Sequence, residues 1–172
     1  MKKLSLQELE RKSVSEFKAA DKNPVVVILD NIRSKSNVGS VFRNSDAYLV
    51  EKIYLCGYTP APPDREITKT AIGAELAVDW EKRADVLEVV GELKENGYTI
   101  ASVEQAAGST QLNEFQWQEG QKLAIVLGNE VAGVQQEVVD ASDLCLEIPM
   151  YGTKHSFNVA VTAGIVLYGL FS

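Results

Sequence analysis

The sequence predicts an α/β domain built on a mainly parallel sheet that is flanked by helices. Two observations support this class. Continuous apolar, β-branched runs of strand length, such as "PVVVILDNI" at 24–32 and "KLAIVLGNE" at 122–130, alternate with segments of helical period. Glycine and proline stand at the junctions between them. The 172 residues contain no repeat, low-complexity tract or linker, so we expect one domain.

The first half of the chain predicts a helical start followed by alternating strands and helices. Ser5 and Glu8 have capping-box spacing, and Leu6, Leu9 and Phe17 give a helical stripe that extends to about Ala20. We then expect a strand at 24–32, a helix at 37–50 with Asn37 near its N-cap and Val38, Val41 and Phe42 inward, a strand at 52–57, a Pro-rich loop at 58–64, a short helix at 65–76 and a short strand at 77–80.

The second half continues the alternation. We expect a helix at 84–97 that stops at Gly97, a strand at 98–104, a strand at 122–130 ending in a glycine turn, a short helix at 134–142, a strand at 144–150 and an apolar helix at 156–171. Ligands bind beyond the carboxyl ends of parallel strands. We therefore expect the polar loops 30–37, 127–133 and 149–158 to lie side by side.

Charge is distributed unevenly along the chain. The net charge is −7, yet residues 1–69 hold 12 Lys or Arg and 9 Asp or Glu, whereas residues 70–172 hold 5 and 15. The acidic total argues against a general nucleic-acid binder. The asymmetry indicates either an anion-binding face in the first half or a random division over a solvated surface.

Cysteine and histidine usage favours a reducing compartment and no metal. Cys56 and Cys145 lie far apart without a CxxC spacing, and we expect buried free thiols. The single histidine, His155, argues against a zinc site. The start "MKKLSLQELE" lacks the apolar region of a secretory signal, and no apolar run approaches a membrane span. We expect a cytoplasmic protein.

Familiar nucleotide and hydrolase motifs are missing from the sequence. It has no GxGxxG after a strand, no GxxxxGK[ST] and no GxSxG. These absences disfavour a dinucleotide-binding Rossmann domain, a P-loop enzyme and a serine hydrolase of the usual kind.

Three stretches in order instead resemble one family. "SNVGSVFRNSDAY" at 36–48, "LGNEVAGV" at 127–134 and "IPMYGTKHSFNVAVTAGI" at 148–165 look like the three motifs of the TrmH/SpoU family of S-adenosylmethionine-dependent RNA 2′-O-ribose methyltransferases, within the SPOUT superfamily. The likeness covers roughly residues 24–170. Phe157 stands where the family usually has leucine, and "AYLV" lacks the glycine that often follows the helix.

The resemblance implies a SPOUT α/β knot, in which the C-terminal segment forms a deep trefoil knot. It implies a single methyltransferase domain over 1–172, with an N-terminal helical extension at 1–22 and a catalytic knot domain at 24–171. It also implies a homodimer, RNA (tRNA or rRNA) as the partner and S-adenosyl-L-methionine as the cofactor, whose adenine and ribose the backbone of the knot loops would hold.

The resemblance also implies three sets of site residues. The catalytic set is Asn37, Arg43, Glu130, Ser156 and Asn158. The cofactor set is Val103, Glu104, Leu127, Gly128, Ile148, Met150, Ser156 and Phe157. The RNA set is Arg33, Lys35, Arg43, Arg65, Lys69 and Lys154. Taken alone, most of these side chains fit ordinary roles as solvated charges, helix caps and turn glycines.

The role of Arg43 stays open at this point. A charged guanidinium has no acceptor, so it suits a phosphate or oxyanion ligand, whereas a transiently neutral arginine would act as a base. Two other classes also stay open. One is a catalytically silent RNA-binding protein of the same fold, against which the complete residue set argues. The other is a different α/β nucleotide-binding protein, which the missing motifs disfavour.

Overall fold

The structure is a computed structural model that describes residues 1–5 and 7–172. Its strands are β1 (Asn23–Asp30), β2 (Val50–Cys56), β3 (Trp80–Arg83), β4 (Thr99–Val103), β5 (Thr110–Gln111), β6 (Leu123–Leu127) and β7 (Leu144–Glu147). Its helices are α1 (Val14–Ala19), α2 (Lys35–Ala47), α3 (Arg65–Ala71), α4 (Ala74–Ala77), α5 (Val86–Glu95), α6 (Gln136–Ala141) and α7 (Val159–Leu170).

The strands form one sheet in the order β3-β2-β1-β6-β4-β7-β5, and neighbouring strands pair in parallel. In its centre, Val27 of β1 pairs with Ile53 of β2 and Ile125 of β6. The parallel direction brings the carboxyl ends of β1, β6, β4 and β7 to one edge. The polar loops that follow these strands therefore meet there, as the α/β pattern predicted.

The two faces of the sheet bury two apolar layers. Successive residues of β1 alternate between them, since Val27 joins the layer covered by α1, α2, α3, α4 and α7, and Val26 joins the layer covered by α5 and α6. β1 is buried almost throughout, as expected for a central parallel strand. The sheet flanked by helices confirms the predicted fold class, while the knot stays a prediction.

Helix α2 begins earlier than predicted, and its N-cap is a different residue. The Ser34 hydroxyl accepts a hydrogen bond from the backbone N–H of Asn37 at 3.3 Å, so Ser34 is the cap and Asn37 lies in the first turn. The prediction of Asn37 as a cap was wrong, and its side chain is available for other contacts. The predicted inward residues Val38, Val41 and Phe42 are fully buried.

The predicted continuous helix over 5–20 was also wrong. Ser5 and Glu8 do exchange hydrogen bonds, but they close only a 3₁₀ turn at Gln7–Leu9. Glu10 follows in the left-handed region with φ 45°, and a second capping box, Ser13 with Glu16, starts α1. Two serines with glutamate three residues later thus compete for the helix start, and the second begins the α-helix.

The apolar stripe of this segment is correct only at its C-terminal end. Phe17 is buried against the core, whereas Leu9 is exposed. Leu6 lies outside the described residues. The described residues that precede α1 therefore add little to the core, and α1 docks mainly through Phe17.

Smaller departures lie around α3, α4 and β5. The helix predicted over 65–76 is interrupted by Ile72 and Gly73, both with positive φ. The following strand is Trp80–Arg83 instead of 77–80, and the two-residue β5 was missed. The other predicted strands and helices are confirmed with ends that move by a few residues, and α5 ends before Gly97 at φ 82°.

Both cysteines are free, as predicted. Cys56 is buried, and burial raises the pKa of its thiol to about 12. Cys145 is only half-buried, so the expectation of two buried thiols holds for Cys56 alone. Within the described ranges, no helix has the length and apolar character needed to cross a membrane.

Candidate functional site

A cavity of about 610 Å³ lies at the carboxyl edge of the sheet, between the loops that follow β4, β6 and β7. All eight residues predicted for the cofactor line it: Val103, Glu104, Leu127, Gly128, Ile148, Met150, Ser156 and Phe157. Two predicted catalytic residues, Glu130 and Asn158, line it as well. The second and third motifs and the loop after β4, which lie far apart in sequence, therefore contribute to one cavity.

Glu130 joins the first motif to the second. Its Oε2 accepts a hydrogen bond from the backbone N–H of Arg33, and its Oε1 accepts from the backbone N–H of Ser34 and from Nδ2 of Asn37, at 2.9–3.0 Å. Three donors converge on one carboxylate at the start of α2. The carboxylate thereby satisfies backbone N–H groups that precede the helix.

Asn37 extends this chain of hydrogen bonds to the third motif. While its Nδ2 donates to Glu130, its Oδ1 accepts from Nδ2 of Asn158 at 3.0 Å. Asn158 in turn caps α7, because its Oδ1 accepts from the backbone N–H of Ala160 at 2.9 Å. Each amide uses both ends, so Glu130, Asn37 and Asn158 form a continuous polar junction, named here the three-motif junction.

The environment of Glu130 favours the charged form. Partial burial raises the pKa of this carboxyl. The hydrogen bonds from the N–H groups of Arg33 and Ser34 and from Asn37 lower the pKa, and their combined effect exceeds that of burial. The net pKa lies below its usual value of 4.5. Glu130 is therefore an anion at neutral pH.

The turn after β6 requires glycine at position 128. A Cβ at Gly128 would lie 2.2 Å from the backbone of Gly133 and of Val134. The two backbone segments approach this closely because Asn129 and Gly133 exchange N–H···O=C hydrogen bonds of 3.0 and 2.9 Å. The interpretation of Gly128 as a turn glycine is thus correct, and the tight turn also forms part of the cavity wall.

Arg43 lies apart from this cavity. Its side chain is exposed on α2 and lines a separate cavity of about 280 Å³, together with Lys12, Phe17 and Asp46. Asn44, the next residue, faces α7 and donates to the carbonyl of Ala160 at 2.8 Å. Of the five predicted catalytic residues, the structure brings together Asn37, Glu130, Ser156 and Asn158 but leaves Arg43 on another surface.

Residues 24–168 match the SpoU rRNA Methylase family. The chain belongs to this family. It is 31% identical over 158 residues to a Staphylococcus saprophyticus protein whose name places it in the TrmH family of tRNA/rRNA methyltransferases, covering 92% of this chain and 62% of the relative. The chain spans about three fifths of the length of the curated relatives it matches.

Solved structures share the fold of this SpoU family chain. The A. aeolicus TrmH/SpoU tRNA modifying enzyme superposes with a TM-score of 0.78 at 27% identity, covering 89% of this chain and 76% of that one. The AdoMet-bound rRNA methyltransferase from Sinorhizobium meliloti superposes with a TM-score of 0.79 at 23% identity, covering 89% and 58%. These matches agree with the observed parallel sheet.

Sequence reasoning missed several residues of the SpoU family cavity. The additional lining residues are Gln105, Asn129, Val131, Ala132, Gly133, Val134, Leu146, His155, Val159 and Thr162. Asn129 is the most informative, because its Oδ1 accepts from the N–H groups of Val131 and Ala132 at 2.9 Å. An asparagine after a turn glycine is a known turn signal.

Glu104 has a structural role beside its place in the wall. Its carboxylate accepts hydrogen bonds from the N–H groups of Gln105 and of Val134, at 2.8 and 3.0 Å. It therefore ties the loop after β4 to the loop after β6. Gln105 continues this contact, since its Nε2 donates to the carbonyl of His155 at 2.5 Å.

The predicted RNA residues occupy more than one place. Arg33, Arg65, Lys69 and Lys154 are exposed, whereas Lys35 forms a 2.8 Å ion pair with Asp64, the cap of α3. Lys154 lies on the loop after β7, and the others lie on or before α2 and α3. The structure thus places most of the predicted RNA residues on α2 and α3 or just before α2, with Lys69 in the last turn of α3, and a single lysine on the loop after β7.

The charge of the cavity restricts what it can hold. Among the described lining residues, Glu104 and Glu130 are carboxylates and none is Lys or Arg. Leu127, Ile148 and Phe157 supply apolar walls. Such an enclosure suits an organic ligand with an apolar ring and a positive charge. In the part of the chain that the structure describes, no group of three or more His, Cys, Asp or Glu side chains could hold a metal ion.

Proposed function

We propose that this chain is an S-adenosylmethionine-dependent methyltransferase that acts on a ribose 2′-hydroxyl of RNA. One observation carries the proposal. The three-motif junction, in which Asn37 donates a 3.0 Å hydrogen bond to Glu130 and accepts one of 3.0 Å from Asn158, borders the cavity lined by all eight residues predicted for the cofactor. Membership of the SpoU rRNA Methylase family supports the same activity.

The cavity suits the proposed cofactor in size and chemistry. About 610 Å³ lies within the usual range of roughly 300–1,000 Å³ for small-molecule sites. The apolar walls would hold the adenine, and the carboxylates of Glu104 and Glu130 would favour a ligand with a sulfonium and an ammonium group. When bound, S-adenosylmethionine supplies a methyl group on a positively charged sulfur.

The residues of the chain would orient the acceptor hydroxyl. The Ser156 hydroxyl has no hydrogen-bond partner among the described residues and lines the cavity next to Asn158, so it is available to a ribose oxygen. Placing the 2′-oxygen in line with the methyl group can supply about 7–11 kcal/mol at best. Formation of the bond between the 2′-oxygen and the methyl carbon would be accompanied by cleavage of the carbon–sulfur bond, and the hydroxyl proton would pass to solvent. The negative charge that develops on the oxygen requires a nearby cation.

We assign that cation to Arg43, acting on the adjacent phosphate and on the developing oxyanion. A guanidinium can bind a phosphate through two N–H groups, and it has no lone pair to accept the proton while charged. Because Arg43 lines a different cavity of its own chain, we infer that a second copy brings it to the site.

A homodimer would have a suitable surface on α7. This helix is apolar on all sides, and Val161 and Tyr168 on its outer face are 48% and 64% exposed. A helix that is apolar on all sides is normally covered. Covering it with the same face of a second copy around a two-fold axis would be the simplest arrangement.

The proposed substrate is a tRNA or an rRNA in the cytoplasm. Relatives and neighbours of both kinds are known, and the basic group of Arg33, Arg65 and Lys69 offers sites for phosphates in an otherwise acidic protein. The free thiols of Cys56 and Cys145 agree with a reducing compartment. A ribose hydroxyl as acceptor would itself select RNA over DNA.

A catalytically silent RNA-binding protein is the second candidate. The exposed position of Arg43, away from the cavity of its own chain, favours it if no second copy completes the site. Melting experiments separate both candidates from other nucleotide-binding proteins. S-adenosylmethionine is expected to raise the melting temperature, whereas NAD and ATP are not.

Transfer of labelled methyl groups tests the proposed function. Wild-type protein is incubated with labelled S-adenosylmethionine and total RNA from cells that lack this protein. We expect labelled RNA that yields alkali-resistant dinucleotides, because a methylated 2′-oxygen cannot attack the neighbouring phosphate. The size of the labelled RNA separates tRNA from rRNA. The same assay is run with ribosomal particles. Cofactor binding without label on free RNA or on particles would contradict the proposal and favour the silent binder.

A further inference from the structure

The loop between β7 and α7 has a second cavity that the cofactor does not account for. It measures about 410 Å³ and is lined by Pro149, Met150, Tyr151, Gly152, Thr153, Lys154, Ser156 and Phe157. Met150, Ser156 and Phe157 line both this cavity and the 610 Å³ cavity. The two spaces therefore meet at a shared wall, which contains Ser156, whose hydroxyl has no hydrogen-bond partner among the described residues.

Tyr151 presents an aromatic ring to solvent on this loop. Tyr151 is 95% exposed, which is more than any other tyrosine in the described residues. The adjacent Gly152 has open space around it. A fully exposed ring gains nothing from the fold, so its position is explained better by a partner that covers it.

Lys154 supplies a cation at the same place. It is the only Lys or Arg between residues 123 and 172, a stretch that carries five Asp or Glu. It forms no ion pair with any residue the structure describes, whereas Lys35, Lys52 and Lys94 each hold a carboxylate. The lone positive charge of an acidic region thus stands three residues from the exposed ring and beside the cofactor cavity.

We propose that Tyr151 and Lys154 form the subsite for the acceptor nucleotide, in which the ring stacks on its base and the ammonium binds its phosphate. This inference rests on the proposed methyl transfer. The acceptor nucleotide would be unpaired, because only a base outside a helical stack exposes a face to an aromatic ring.

Two features favour RNA over an apolar protein partner at this cavity. A ring, a cation and two hydroxyl groups, those of Thr153 and Ser156, match a base, a phosphate and a ribose. The shared wall then accounts for how donor and acceptor meet, since a ribose held next to Ser156 would lie at the boundary of the cofactor cavity.

Substitutions at Tyr151 separate stacking from a structural role. Steady-state methyl transfer is measured for wild type, Tyr151→Ala and Tyr151→Phe with total RNA from cells lacking the protein, together with the Kd for S-adenosylmethionine and the melting temperature. Loss of base stacking is expected to raise the KM for RNA by roughly five- to a hundredfold in Tyr151→Ala. Tyr151→Phe keeps the ring and is expected to remain near wild type. The cofactor Kd and the melting temperature are expected to be unchanged in both.

Lys154→Gln tests the phosphate contact, with Lys122→Gln as the control. Lys122 is exposed and directly precedes β6, so its loss changes the net charge equally at the amino edge of the sheet, opposite the cavity. We expect Lys154→Gln to raise the KM for RNA and to reduce its dependence on salt, and Lys122→Gln to leave both unchanged. Equal effects of the two variants would overturn the assignment of Lys154.

The outcomes distinguish this inference from the proposed function. Suppose that wild type is active. An unchanged KM for RNA in Tyr151→Ala, or an equal rise of this KM in Tyr151→Ala and Tyr151→Phe, would then overturn the subsite and leave the proposed function intact. If wild type transfers no methyl group, the proposed function fails, and binding of labelled oligo(rA), oligo(rC) and oligo(rU) decides on the subsite. Weakened binding in Tyr151→Ala with retained binding in Tyr151→Phe would then support it, and equal binding would overturn it.

Discussion

The three-motif junction and the outer surface of the candidate site differ in how many of their polar groups have partners. In the junction, Glu130 accepts three hydrogen bonds and Asn37 uses both ends of its amide. On the outer surface, Tyr151 and Lys154 are exposed, and Arg43 is exposed on the separate surface that a second copy would bring to the site. The fold thus holds the proposed cofactor side in advance and leaves the RNA side to be completed by substrate or by a second copy.

Arg43→Ala should give the largest effect, and it changes a residue on the proposed RNA side. The proposed loss of a cation beside the developing oxyanion should lower turnover by at least about a hundredfold. The rise in melting temperature caused by S-adenosylmethionine should be unchanged, because Arg43 does not line the cavity. Methyl transfer and thermal unfolding measure the two effects. Arg43→Lys is the control that keeps charge but loses the two-pronged contact, and an Arg43→Ala variant with near-full turnover would remove Arg43 from the mechanism.

Gly128→Ala should damage the proposed cofactor side, which the cavity and the three-motif junction form. The added Cβ would lie 2.2 Å from the backbone of Gly133 and Val134, so the turn must move. We expect unfolding free energy to fall by about 1–3 kcal/mol or more and cofactor affinity to fall with it. Gly91→Ala is the matched control, because Gly91 lies within α5 with open space around it and alanine favours helix by about 1 kcal/mol. Denaturant unfolding checks both, and equal stability of the two variants would contradict the close approach.

Asn37→Ala should have a somewhat smaller effect. It removes one partner from Glu130 and the acceptor of Asn158, and a partly buried polar group left without its partner costs about 1–3 kcal/mol. Asn113→Ala is the matched control, because Asn113 is exposed and its side chain forms no hydrogen bond with the described residues, and it should change stability by no more than about 0.5 kcal/mol. The same unfolding free energy for both variants would show that the junction does not stabilise the fold.

The pH dependence of Glu130 should be the smallest effect. Its folded-state pKa lies below its usual 4.5, so its stabilising contribution is present above that value and is lost as the pH falls through the folded-state pKa. Glu130→Gln cannot titrate at this position. The stability advantage of wild type over Glu130→Gln should therefore shrink below about pH 4.5, as urea unfolding across pH would measure. A constant difference would show that the carboxylate is not held in its charged form.

The sequence predicts the proposed cofactor side better than the proposed RNA side. β-branched runs located the central strands, and the motif resemblance chose eight residues that all line one cavity. The strands follow from local sequence pattern, whereas the eight cofactor residues follow from the family resemblance. Which atoms meet in the junction does not follow from pattern alone, because Asn37, predicted as a cap, is displaced from that role by Ser34.

The remaining errors come from choices between similar local signals. Ser5 and Ser13 both offer a capping box, and tertiary packing of Phe17 accompanies the second. The split between α3 and α4 depends on Ile72 in the left-handed region, which sequence does not indicate for a β-branched residue. The separation of Arg43 from the cavity depends on the rotation of α2 against its neighbours, which only the packed structure determines.

Mixing two variants that we expect to be inactive tests most directly whether the preformed cavity and Arg43 come from different copies. Arg43→Ala and Asn158→Ala are unfolded together, refolded as a mixture and assayed for methyl transfer. In a two-fold dimer, half of the molecules would combine the two variants, and each such dimer would have one intact site. We therefore predict about a quarter of the wild-type rate. Activity no greater than that of the separate variants would contradict the account and return Arg43 to its own chain or remove it from the mechanism.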